Sequence, residues 1–313
     1  MNLFWPVYKN LEGEVLELAK IIHFSDDQIG VYSMRIADII IRSVVEIESI
    51  SKELYKTLGG SINLKDKNGK TRDVYFDTDC LNLLEKNWKL SKKVIKLSSP
   101  IIYIEEDRNR VMCPLHQAFK RGGAKWNKAY QAIKHNRAAS LKKYANIKNM
   151  LLAMAALYIL NLYYKDESFV VQGKGIEVFF DERVGSELFS VAFANINSVS
   201  ALDTYASYVD KGNQCEDAIY IKRYQQESFE QIKHIMDKVN EIAFQTFAES
   251  SEGKELLARK VSNNEAIPSK LWELVDEAGG TDLQSKIDGA IRAEANKLSN
   301  AIRNVTYEYV LNK

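Results

Sequence analysis

Cysteine is scarce in this chain: Cys80, Cys113 and Cys215 lie far apart and form no CxxC pair. That spacing suggests neither a disulfide framework nor a thiolate zinc site, and it fits a reducing, cytoplasmic setting. Proline is rare as well, with four residues, and no Ser/Gly-rich tract occurs, so a compact chain without a disordered linker is expected. The start, "MNLFWPVYKN", has no basic segment followed by a long apolar one, so no secretory signal is expected. Residues 150–164 form the longest apolar run, but they include Asn161 and fall short of the roughly 20 residues a bilayer span takes. A buried core helix is the expectation there, with no membrane contact. The chain lacks a GxxxxGK[ST] loop and a GxGxxG string, which leaves nucleotide hydrolysis and dinucleotide binding without support. The four histidines, His23, His116, His135 and His234, are not at metal-ligand spacing, so neither a metal nor another cofactor is expected. Asp77 and Asp79 in "FDTDC" read as a turn and helix cap rather than a metal pair.

What is present is apolar periodicity. A chain of 313 residues that is 46% hydrophobic can bury a sizeable core. Ser25-Asp26-Asp27 offers a helix start, and the run after it keeps apolar residues three to four apart until Gly59-Gly60. A shorter helix over residues 8–22 precedes it. Asn68-Gly69 between alternating flanks predicts a β-hairpin. A helix over 79–92, strands at "VIKL" and "IIYI", and helical pattern over 114–165 follow. After Asp166, β-branched and aromatic residues broken by glycine predict two or three strands. Helices return over 228–247 and from Thr281, where Ile287, Ile291, Ala295, Leu298, Ile302 and Val305 make a stripe fit to pack on a partner helix, inside the chain or in another protein. "ESSEGKE", residues 249–255, reads as a polar helix break. The expected class is mainly α: a helical bundle over 1–165 with a small hairpin insertion, then an α+β region over 166–313 ending in long helices.

Charge is balanced overall, 43 Lys+Arg against 42 Asp+Glu, but not locally. Residues 108–165 hold twelve cations and no acid, which leaves the rest of the chain at −11. Such a block attracts phosphates even when net charge is near zero. The alternative is internal neutralisation by Asp26, Asp27, Glu46, Glu48 and Glu53. The binding candidates are Lys120, Arg121, Lys125, Lys128, Lys134 and Asn136. Phe119, Trp126, Tyr130 and Tyr144 are interleaved with them, and helical spacing puts Trp126, Tyr130, Ile133 and Tyr144 on a core face. On an unbroken helix His135 would face solvent while Arg137 fell back over the apolar face and needed a partner. For the two to act together the helix must end near Asn136, or a second copy must supply one of them.

The stretch "WNKAYQAIKHNRAASLKKYANIKNMLLAMAALYILNLYY", with the long helix after Ser25 as its partner, resembles the HEPN superfamily of α-helical toxin, abortive-infection and CRISPR-associated ribonucleases. The resemblance covers roughly the first 165 residues, and it extends to bacterial proteins carrying the same tryptophan–tyrosine–KHxR series. It implies RNA as partner, a metal-independent endoribonuclease or a non-catalytic nucleotide-, RNA- or protein-binding module of a defence or toxin system, and a site shared by two protomers. Family members use an Arg, four to six residues, then a His. Arg110 to His116 in "RVMCPLH" fits that order, whereas "KHNR" places His135 before Arg137. These four are the catalytic candidates. The His would move protons and the Arg would hold phosphate oxygens.

Overall fold

The computed structural model describes residues 2–173, 180–196, 204–210, 215–279, 281–301 and 305–313. Helix outweighs strand, 59% to 12%, as the periodicity predicts for a mainly α chain. In chain order the elements are α1 (Phe4–Ile21), α2 (Met34–Thr57), β1 (Leu64–Lys65) and β2 (Thr71–Arg72), then a π-helical turn, α3 (Asn82–Trp88) and a 3-10 turn. There follow β3 (Ile95–Leu97), α4 (Asp107–Arg110), β4 (Val111–Met112), α5 (Lys125–His135), α6 (Arg137–Tyr144) and α7 (Ile147–Lys165). The remainder is β5 (Phe169–Gly173), β6 (Phe189–Val191), β7 (Phe193–Ile196), α8 (Tyr205–Asp210), β8 (Tyr220–Tyr224), α9 (Gln226–Glu249), α10 (Ser251–Ser262), α11 (Leu271–Ala278), α12 (Thr281–Ala301) and β9 (Val305–Leu311).

Helix α7 has no polar face because it is surrounded. Helices α1, α2 and α5 pack on it, and most of its side chains are buried. It is the one described helix long and apolar enough to cross a bilayer, and here it fills the core of the bundle. The weak boundary expected near residue 166 falls between α7 and β5, yet the core runs on across it. Leu188, Phe189, Tyr220 and Leu311 belong to the same cluster as the helices. Strand β6 also pairs with β3 in a β4-β3-β6 sheet, and a second sheet runs β5-β9-β8-β7, antiparallel except for β7 with β8. Helices α9 to α12 build a separate, smaller core around Phe247, Leu256, Leu274, Leu283 and Ile287.

Several expectations are corrected. Ser25-Asp26-Asp27 does not cap α2; Ser33 does, its hydroxyl accepting from the Ile36 amide at 3.1 Å. Asp26 instead accepts from the amides of Glu105 (2.9 Å) and Glu106 (3.1 Å), 79 and 80 residues further along the chain, where no local pattern reveals them. "IIYI" forms no ladder, and only Tyr103 bridges to Ser25. Residues 114–124 are turns, not helix. The last apolar stripe also ends early: Ile302 lies outside the described residues, and Val305 opens β9 between β5 and β8. The hairpin at Asn68-Gly69 forms as expected, with Asp66 accepting from the Asn68 and Lys70 amides and Gly69 at φ +78°. Asp79 takes a forked contact from Arg72 and also accepts from the Tyr75 amide.

Lys93, 1% exposed just before β3, is an ion buried at a cost. Its ammonium donates to the Ala218 carbonyl at 3.0 Å. Burial pushes its pKa down to about 8, against the opposing pull of Asp217, Glu216 and Glu85. At pH 7 both folded and unfolded states are protonated, so the fold carries the whole penalty, on the order of 3 kcal/mol. Ala218 keeps a second donor, Asn312 Nδ2 at 3.0 Å, if the lysine is removed. Lys93→Met is therefore expected to raise stability at pH 7 by up to about 3 kcal/mol. That gain should shrink as pH rises from about 8 through the ordinary lysine range, because neutral lysine carries no penalty. Urea midpoints at pH 7 and pH 10 check both statements.

Candidate phosphate-binding cleft

Helix α5 starts with Lys125, Trp126 and Asn127, and this first turn splits by direction. Trp126 is 0% exposed and its indole N–H donates to the Pro114 carbonyl at 2.8 Å, which ties the 114–124 turns to the helix. Lys125 and Lys128, three residues apart, share the outer face. The turns themselves are tight. Gln117 has φ +58°, and a Cβ on Gly123 would meet the Gln117 carbonyl oxygen at 2.2 Å, so only glycine closes the approach to α5. Ala124 at the α5 N-cap position offers no side-chain cap, so the positive end of the helix dipole also faces this region.

Between these turns, α4–β4 and the first turns of α5 and α7 lies a cleft of about 450 Å³. Arg108, Lys125, Lys128 and Lys148 line it together with His116, and among the described residues no Asp or Glu does. Lys148 donates to Asn109 Oδ1 at 2.9 Å, and Asn109 donates to Asp26 at 2.7 Å. The residue that fails to cap α2 thus holds α4 against α7. Burial pushes the Lys148 pKa down, and the Lys125 and Arg108 charges push it further. The cleft's cations repel one another, a strain that a bound anion would relieve.

Internal neutralisation is slight. Of the twelve cations in the acid-free block, three make ion pairs: Arg108 with Glu106, Arg137 with Asp38 at 3.4 Å, and Lys165 with Glu167 at 2.8 Å. The other nine have no carboxylate within 4 Å among the described residues. Glu48 and Glu53 are taken by Lys52 and Lys56 of their own helix.

Of the sequence candidates, His116, Lys125 and Lys128 converge on the cleft. Arg110 does not join His116: its Nε donates to the Leu97 carbonyl at 3.3 Å and it is absent from the lining. Arg108, two residues earlier, takes that place. Lys120 and Arg121 are exposed on the turns outside the cleft, and Lys134 lies over the Tyr130 ring. Helix α5 ends at His135, ten residues or about 15 Å beyond Lys125. Asn136 then caps α6, accepting from the Ala139 amide at 3.3 Å. This break frees Arg137 from the apolar face; it is exposed and pairs with Asp38, not buried. Trp126 and Tyr130 are core, and Phe119 and Tyr144 pack half-buried against it, which leaves the block without the freely stacking aromatics of an RNA platform. Arg108 and Lys148 were visible as members of the acid-free block. They could not be singled out, because they reach the cleft from α4 and α7.

Among the described residues no group of three or more His, Cys, Asp or Glu side chains is placed to hold a metal ion. Cys113 borders the cleft as an unpaired thiol whose pKa is raised, first by burial and then by Asp217. No protein-family model, no curated protein and no solved structure matches this chain.

Proposed function

We propose that the protein binds RNA by its phosphates through this cleft, as a cytoplasmic HEPN-like helical module. One observation carries the reading: Arg108, Lys125, Lys128 and Lys148 meet on a single cleft lined by no carboxylate of the described residues. Charge gathered this way favours a polyanion over a neutral ligand. Titrating a labelled short RNA across a salt series tests it. Log affinity is expected to fall linearly with log salt, and binding indifferent to salt would sink the proposal.

A second reading, a metal-independent ribonuclease of a bacterial defence or toxin system, draws on His116, exposed on the cleft wall beside the cations. In that reaction the 2′-oxygen bonds to the adjacent phosphorus as the bond to the 5′-oxygen breaks. Imidazole takes the 2′-hydroxyl proton, and the leaving 5′-oxygen takes one from a water molecule. Lysines hold the phosphate oxygens. His135 and Arg137, outside the cleft, would enter only from a second copy of the chain. Cleavage that survives EDTA and is lost in His116→Ala but not in His135→Ala is the expected result; no cleavage of any RNA leaves binding alone.

A further inference from the structure

We infer that the cleft receives one unpaired nucleotide of a single-stranded RNA rather than the face of a duplex, an inference that rests on the phosphate reading above. Its lining has two characters. Besides the four cations it presents Ile29, Met112, Leu151 and Leu152, of which Ile29 and Leu152 are half-exposed. A bare phosphate gains nothing from an apolar wall. A duplex offers phosphates outside and hides the faces of its bases. An unpaired nucleotide offers a phosphate and an apolar base face within one unit.

Size agrees. At about 450 Å³ the cleft has the dimensions of a small-molecule site, sufficient for a nucleotide and too small to admit a helix of paired strands. A polar group for the base edge is also present. Asn109 is spent on Lys148 and Asp26, but the exposed amide of Gln117, on the same wall, has no partner among the described residues. Its backbone is left-handed, φ +58°, and Gly123 closes on its carbonyl, so the amide stands on a tight turn. A side-chain amide both donates and accepts, as a base edge requires.

The test is fluorescence anisotropy with a labelled single-stranded RNA and a blunt duplex of the same length. Competitors are pyrophosphate, adenosine monophosphate and polyglutamate, and the variants are Leu152→Trp, which fills the apolar wall without changing charge, and Gln117→Ala. The single strand is expected to bind about tenfold more tightly than the duplex, and Leu152→Trp to cost about tenfold for the strand and far less for pyrophosphate. Gln117→Ala, on an exposed turn, repeats the test if Leu152→Trp folds poorly. Equal affinity for strand and duplex, untouched by either variant, overturns the inference and leaves phosphate binding standing. Adenosine monophosphate competing as well as the strand assigns the cleft to free nucleotides and overturns the RNA chain as ligand. Polyglutamate displacing RNA at equal charge overturns it in favour of an acidic protein. No salt-dependent binding of any RNA or of pyrophosphate removes the phosphate reading itself.

Discussion

Replacing Lys125 and Lys128 together by alanine is expected to weaken binding of single-stranded RNA by about 25-fold at about 0.1 M salt, because each phosphate contact on a single strand contributes a salt exponent of about 0.7. The same loss should lower the slope of log affinity against log salt by about 1.4. Both lysines are exposed on the first turn of α5, so the fold should not change. A matched control separates a cleft from a diffuse field. Lys142 and Lys143 are exposed on α6 and do not line the cleft, and removing them changes net charge equally. That pair is expected to cost only a few-fold through the long-range field, which is screened beyond about 10 Å at such salt. Equal losses from the two pairs would mean that RNA sees the block as a whole, and the cleft would lose its special standing.

Much of the helical frame could be read directly. Apolar residues at three-to-four spacing mark α2 and α9, and an unbroken apolar run marks α7, because burial on one side or on all sides leaves those signatures. The misreadings share a cause: partners far away in sequence. Asp26 has every local mark of a helix cap, yet its acceptors are used on residues about eighty positions on. Val305 sits in register with the helical stripe before it, yet "VTYEYVL" forms β9 because β5 and β8 pair with it on either side. The candidate site divides the same way. Composition exposed the acid-free block and so the region, and it supplied Lys125 and Lys128, while His116 came from the Arg-to-His spacing that the family resemblance implies. It could not separate Arg108 from Arg110, since which of the two faces the cleft depends on the short helix that Asn109 and Asp26 hold in place. The break at Asn136 was foreseen as a condition for His135 and Arg137 to act together. It occurs, but Asp38 of α2 claims the arginine.

The largest effect on stability is expected at Glu12. This carboxylate, 1% exposed on α1, is bonded to a ring that is itself stacked: Tyr8 stacks with Trp5 and with Tyr158, at 5.1 and 5.4 Å. Its Oε1 accepts from the Tyr8 hydroxyl (2.9 Å), the Ser186 hydroxyl (2.5 Å) and the amides of Glu187 (2.9 Å) and Leu188 (3.2 Å), while Lys9 pairs with Oε2. One side chain therefore joins the first helix to the turn before β6, across the residue-166 boundary. Glu12→Ala leaves two hydroxyls and two amides to find other acceptors, a loss of about 3–5 kcal/mol. Glu12→Gln keeps an oxygen for those donors but sets an amide against Lys9, for about 2 kcal/mol. The acid response follows from the sign of the shift. Burial pushes the Glu12 pKa up, but Lys9, Ser186, Tyr8 and the Glu187 amide together hold it below the ordinary carboxylate value. The unfolded chain thus takes up a proton first. The stabilisation is whole above the ordinary carboxylate range and is lost as pH falls through the lower folded value. Urea midpoints of wild type and Glu12→Gln should accordingly differ most at pH 7 and converge on acidification. A gap that held constant down to strongly acid pH would show that the charge of Glu12 contributes nothing.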